Sequence, residues 1–349
     1  MLRRTLLAAA AVVPLLAARQ PAVAQSVVPI KVSYQPSLYW ALPYYIATQK
    51  GWWREVGLQP EFSTFAAGAP QVAALAAGAW DAGGTGSAPA VLGAQRFGLL
   101  TIGITNDESQ ANAVVARRRD ADRIRTNPQS LKGQQVLETI NSTGEYATLA
   151  CLQHWGLGRR DVQLVNLGQA QILSAFSAGN GMLAGVWAPN IYTLQERADG
   201  VVVCDGKQAG VAVPGAIVVR ADWARENPDR AAAYLAVYLR SIAWQKANRA
   251  ETIQLMRRFY EQGGVTLPDK YLETEIDTRP TFTLEEQLRL LDRGASSQST
   301  ADQWFARLGD YLKSTGTLQQ VPEGRSFITD EYLKRIAADS RLRAFANAQ

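Results

Sequence analysis

Histidine is nearly absent. The chain of 349 residues holds one, His154, and only two cysteines, Cys151 and Cys204. A metal centre built mainly from imidazole and thiolate takes about four ligands, so these three residues are too few. No EF-hand loop of spaced carboxylates replaces them. Triad chemistry would need His154 beside an activated serine, and no Gly-x-Ser-x-Gly elbow occurs. Cys151 and His154 lie three apart on one face of an expected helix. A packed helix face explains that pair more simply than a Cys–His dyad. Gly83-Gly84-Thr85-Gly86-Ser87-Ala88-Pro89 has Pro89 where a dinucleotide loop needs its third glycine. No Walker lysine follows a glycine-rich stretch. The longest basic run, Arg117-Arg118-Arg119, is followed at once by Asp120 and Asp122. It offers no sustained cationic face to a nucleic acid. The expectation is a chain with no catalytic residue, no metal, no cofactor and no nucleic-acid partner.

Long apolar runs are confined to the N-terminus. Arg3 and Arg4 precede Leu6 to Ala18, which is apolar throughout, and Ala22-Val23-Ala24 supplies small residues before Gln25. These are the three parts of a cleavable export signal. The run is too short for a bilayer, which takes about 20 residues. Arg3-Arg4-Thr5-Leu6-Leu7 also admits a twin-arginine reading. No cysteine stands at the cleavage site, so no lipid anchor is expected, and a free exported protein points to the periplasm of a Gram-negative bacterium. Cutting at residue 24 of 349 leaves 325 residues, about two domains. Losing Arg3, Arg4 and Arg19 brings the net charge from +5 to +2. Cys151 and Cys204 read as two buried small side chains, although an oxidising periplasm would permit a bridge.

Strand and helix signals alternate from Ile30 to Cys204. Strands are expected at residues 30–34, 58–65, 81–84, 99–105, 113–116, 135–139, 162–167, 183–187 and 201–204. Helices are expected at 43–53, 71–77, 144–155 and 170–178. This alternation predicts an α/β fold with mainly parallel sheets. Beyond Val219 the chain reads as helical, with Asp222 and Asp229 as N-caps and Pro228 at a first helical position. A weak repeat links Ala77-Gly78-Ala79-Trp80-Asp81-Ala82-Gly83, leading to Ala88-Pro89, with residues 178–185, leading to Ala188-Pro189. It implies two similar lobes, with hinge strands near 114–116 and 213–218. The expected division is signal 1–24, first part of lobe I 25–115, lobe II 116–214, and return to lobe I with C-terminal helices 215–349.

Two strand-to-helix junctions carry small polar residues: Thr85-Gly86-Ser87, and Asn141-Ser142-Thr143-Gly144. The first N–H groups of a helix lack internal partners and carry about half a positive charge. Glycine lets a ligand approach, so each junction could hold an anion. Ordinary capping by Ser87 and Ser142 explains either junction equally well. Loops leaving strand ends are the usual binding places in open α/β folds. That puts Tyr39 and Trp40, after the first strand, and Trp187, after a later one, among the pocket walls. Trp52, Trp53 and Trp80 read as core.

The order of these segments resembles a known family. The carrying stretches are Val32-Ser33-Tyr34-Gln35, Pro43-Tyr44-Tyr45-Ile46-Ala47-Thr48-Gln49-Lys50-Gly51-Trp52-Trp53 and Ala76-Ala77-Gly78-Ala79-Trp80-Asp81-Ala82-Gly83. Gly86-Ser87-Ala88-Pro89, Leu131-Lys132-Gly133 and Trp187-Ala188-Pro189 continue the pattern. The chain resembles the periplasmic binding proteins of ABC importers of the nitrate/sulfonate/taurine type, related to the thiamine-pyrimidine-precursor binders. The resemblance implies a two-lobed type II fold with a two-strand hinge, closing around one small organic anion. It implies a monomer that delivers its solute to an inner-membrane permease with a cytoplasmic ATPase. It carries anion contacts to Gln35, Ser87, Ser142, Thr143 and Gly144, and a cleft position to Trp187; Gly86 joins them from the junction reading alone. No arginine or lysine stands close to these positions, so neutral donors would hold the anion. Pyrimidine synthases of this fold use a Cys- and His-rich cluster that this chain lacks. The rival readings are a periplasmic enzyme on the same scaffold and a ligand-sensing module for a membrane receptor.

Overall fold

A computed structural model describes residues 27–35 and 41–349. The expected export signal, Tyr39 and Trp40 lie outside the described residues. The strands, in chain order, are β1 (Val28–Tyr34), β2 (Leu58–Thr64), β3 (Ala82–Gly86), β4 (Leu99–Asp107), β5 (Asn112–Arg117), β6 (Gln135–Glu138), β7 (Gln163–Asn166), β8 (Leu183–Trp187), β9 (Gly200–Asp205) and β10 (Pro214–Arg220). They form two sheets, ordered β2-β1-β3-β10-β4 and β7-β6-β8-β5-β9. Position for position the two orders match, which is the structural content of the sequence repeat. β3 and β8 take the same central place, and each is followed by Ala-Pro and a helix.

The sheets are mixed rather than mainly parallel. β1 pairs in parallel with β2 and β3, and β6 with β7 and β8. β10 and β5 run antiparallel to both of their neighbours. These two are the strands the chain lays down just after crossing from one sheet to the other. The apolar segments 114–116 and 213–218 predicted a hinge. In the structure Val114–Ala116 lies within β5, inside the second sheet, and most of the other segment lies within β10, inside the first. The crossings are the largely polar residues between Asp107 and Asn112 and the glycine-, alanine- and valine-rich stretch between Asp205 and Pro214. Short apolar strands buried on both faces look alike in sequence wherever they sit.

Burial follows side-chain chemistry. Ile30 and Val32 alternate with exposed Lys31 along β1. Trp52, Trp53 and Trp80 are buried, as expected. The helix Pro228–Ala247 begins at Pro228, whose missing N–H costs nothing there. Asn227 holds the cap position, and Asp229 sits inside the first turn. Asp222 likewise falls inside the helix Ala221–Glu226 rather than capping it. The long helix packs under the first sheet, where the Tyr234 hydroxyl donates to Gly83 O at 2.8 Å and meets the Tyr44 hydroxyl at 2.6 Å.

The C-terminal helices also reach the second lobe. Tyr271 stacks on Tyr192 at 4.8 Å, and Lys270 pairs with Glu196 at 2.8 Å. On another side, Tyr311 packs against Tyr146 and Thr317 donates to Asn141. Separating the lobes must break these contacts.

Cys151 and Cys204 are joined in a disulfide, contrary to the reading of two isolated buried cysteines. The bridge ties the helix Thr143–His154 to β9 across 53 residues of chain. It leaves no Cys151 thiol for a dyad, and His154 is exposed at the helix end. A closed loop of that length restricts the unfolded chain by about 4 kcal/mol in the chain-entropy treatment. Replacing both cysteines with alanine is expected to lower unfolding free energy by about 2–4 kcal/mol. Urea unfolding monitored by circular dichroism measures this, and an unchanged midpoint would contradict the bridge.

Candidate functional site

The C-terminal ends of β1, β3, β6 and β8 point toward the space between the lobes. There a small cavity is lined by Gln35, Gly68, Gly86, Pro89, Glu108, Ser142, Thr143 and Trp187. It admits the centre of a water-sized sphere over about 20 Å³, room for about one water. The lobes are therefore closed on one another, and any larger solute must enter by separating them. The lobes meet tightly at Gly86 and Thr143, where a Cβ on Gly86 would lie 2.6 Å from Thr143 Oγ1.

Five residues selected from sequence meet at this cavity: Gln35, Gly86, Ser142, Thr143 and Trp187. Their roles differ. Ser142 caps the helix Thr143–His154: its Oγ accepts from the Glu145 N–H at 3.1 Å and donates to Thr139 O at 2.7 Å. Asn141, at φ +61°, turns the chain into that helix, and its N–H donates to Glu145 Oε2. Ser142 is thus mainly a cap. Ser87 is not, because Gly86 holds the cap position of the helix Ser87–Phe97. The Ser87 hydroxyl is fully buried with no hydrogen-bond partner. The Gln35 side-chain amide donates to Gln71 Oε1 at 3.1 Å, inside a buried network with Ser33. Gly144 lies just behind the wall, where a Cβ would meet the Trp187 ring at 3.1 Å. Its hydrogen side chain lets the indole lie flat on the helix start. Trp187 is 5% exposed, and its indole N–H has no acceptor.

Sequence reading passed over Gly68, Pro89 and Glu108. Glu108 is the most consequential. It lies on the first crossing, 2% exposed, with Oε1 unpartnered and Oε2 accepting from Asn112 at 3.3 Å. Burial pushes its carboxyl up, opposed by the positive charge of Arg279. A carboxylate between the expected strands 99–105 and 113–116 is the available signal in the sequence.

A second buried carboxyl stands behind the helix start. Glu138 ends β6, takes the Thr139 N–H at 2.8 Å and shares a 2.5 Å hydrogen bond with the Thr148 hydroxyl. Burial pushes it up to about 8. At neutral pH it is mostly uncharged, so it does not cancel the positive end of the adjacent helix dipole.

Two outcomes follow from this geometry. Gly86→Ala is expected to crowd Thr143 and hinder closure, weakening solute binding by about tenfold, as overpacking by one methyl does. Small-angle scattering should then show a larger radius of gyration than wild type under saturating solute; an equal radius and affinity would contradict the contact. The second concerns pH. An unfolded glutamate ionises near pH 4.3, and folded Glu138 near 8. Between those values the folded chain keeps a proton the unfolded chain has lost. Glu138 therefore supports the fold fully at low pH, and its contribution falls as pH rises toward 8, by at most about 1.4 kcal/mol per unit. Urea midpoints from pH 5.5 to 7.5 should fall less steeply in Glu138→Gln than in wild type. Parallel curves would contradict the shift.

A sequence model of the NMT1/THI5-like family matches residues 40–252, more than half of the chain. The taurine-binding periplasmic protein of Escherichia coli K12 is 31% identical over 232 residues, 65% of this chain and 67% of that protein. A Brucella abortus protein provisionally named a binding protein is 25% identical over 308 residues, 87% of this chain and 91% of that one. The alkanesulfonate-binding protein SsuA of Xanthomonas axonopodis pv. citri, solved with MOPS bound, matches with a TM-score of 0.72 at 18% identity, over 87% of this chain and 99% of that one. At that identity the likeness speaks for the fold alone, which is the two-lobed fold of periplasmic binding proteins. The extent of the family match and the identity to the taurine-binding protein together show that the chain belongs to the NMT1/THI5-like family.

Proposed function

We propose that the chain is the exported, periplasmic substrate-binding component of an ABC importer, and that it carries a small organic anion between its lobes. The candidates are a sulfonate, taurine, nitrate or a related carboxylate. The observation that carries the reading is the Trp187 indole N–H. It is buried and without an acceptor, in a cavity where two helices of opposite lobes begin. A buried donor without a partner costs free energy, and an anion oxygen would satisfy it. Each helix start adds partial positive charge. Gln35, Ser87, Thr143 and the first backbone N–H groups, that of Gly144 among them, supply further donors, and Gly86 permits close approach.

The carrier role is supported by the relatives, which are named for binding rather than catalysis. Among the described residues, no helix is long and apolar enough to cross a membrane. By analogy with these relatives, the solute would be handed to a separate inner-membrane permease powered by a cytoplasmic ATPase, by a monomer whose closed lobes form the docking face.

The test is a thermal-shift screen of the mature chain against taurine, alkanesulfonates, nitrate, aromatic carboxylates and pyrimidines. A true solute at a hundred times its Kd adds about 2.7 kcal/mol of stability. Stabilisation by one or more anions, lost in Trp187→Ala, is the expected result. Stabilisation by neutral compounds only would overturn the anion reading.

A further inference from the structure

The cleft contains two unpartnered polar groups of opposite kind. The Trp187 indole N–H can only donate. Glu108 Oε1, when the carboxyl is ionised, can only accept. Both residues line the same cavity, at 5% and 2% exposure. The cation acting on Glu108 is Arg279. That guanidinium is itself fully buried and lies 3.1 Å from Glu275, a carboxylate that also takes the Tyr260 hydroxyl at 2.8 Å. One positive charge thus serves two buried carboxylates. Buried charges are retained when they are paired, and among the described residues Glu108 Oε1 still has no hydrogen-bond partner.

The positive ends of the Ser87–Phe97 and Thr143–His154 helices face the same cavity through Gly86 and Thr143. The site therefore has one wall suited to an anion and a floor suited to a cation. The small enclosed volume keeps the two poles close together.

We propose that Glu108 accepts a hydrogen bond from an ammonium group of the solute, so that the cleft selects short zwitterions with an acidic head and a nearby amine. This rests on the organic-anion reading above and narrows it: nitrate and simple alkanesulfonates fill one pole and leave the other unpaired. Glu108 is then a specificity-determining residue supplied by the hinge itself, and the amine reports to the segment that must bend for the lobes to close.

Isothermal titration of the mature chain with matched pairs tests this. The pairs are taurine and isethionate, homotaurine and propane-1-sulfonate, and β-alanine and propionate. The amino member of the tightest-binding pair should bind at least about tenfold more tightly than its partner, as a charge-assisted hydrogen bond allows. Glu108→Gln should remove that advantage, bringing the two members of the pair to within about threefold of one another. Equal or tighter binding of the amine-free members by wild type would overturn the proposal while leaving the organic-anion reading intact, and this comparison needs no variant. Discrimination that persists in folded Glu108→Gln would overturn the role of Glu108. Binding of no member of any pair would overturn the organic-anion reading and this proposal together.

Discussion

The Glu108 N–H donates to Val213 O at 2.8 Å, and the Val213 N–H donates back to the Asp107 carboxylate at 3.0 Å. These bonds hold the two chain crossings side by side at the floor of the cleft. The architecture depends on that pairing. Each crossing delivers a strand into the opposite sheet, β5 into the second and β10 into the first, and each strand runs against its neighbours. The lobes therefore share two strands' worth of backbone and little else at the hinge. Rotation about the crossings can open the cleft without breaking either sheet.

The exchange also explains the charge pattern of the site. A hinge that passes through the interior must bury its own polar residues, and here it buries Glu108. The lobe faces contribute helix starts and neutral donors, with Glu138 kept mostly uncharged behind one of them. Among the described residues no lysine or arginine lines the cavity, so the anionic pole relies on dipoles. Dipoles strengthen as water leaves. A site of this kind gains its hold during closure and loosens on opening, which suits a carrier that must release its solute.

The legible part of the fold was the part encoded locally. Alternating apolar runs bounded by Gly and Pro marked the strands, and Ala-Gly followed by Ala-Pro exposed the matching lobes. Trp187 was found because it directly follows a strand core, and Ser142-Thr143 because capping chemistry is written in short spacing. The illegible parts depend on distant pairing. The antiparallel sense of β5 and β10, the bridge across 53 residues and the true crossings are set by partners far along the chain. Glu108 was missed for the same reason. Residues 106–110 are polar and carry no local signal of burial, and Val213 and Arg279, which bring them into the interior, stand far along the chain.

The central claim is that one solute sits between the two lobes, held by Trp187 and the facing helix starts. A crystal structure of the mature chain with its tightest-binding solute tests this most directly. The account predicts density in the cavity lined by Gln35, Glu108 and Trp187, beside the Gly86–Thr143 contact, with an acidic oxygen in hydrogen-bond reach of the Trp187 indole. Density instead in the groove beside Tyr146, Arg159 and Tyr311, with the cleft between the lobes unchanged, would contradict it.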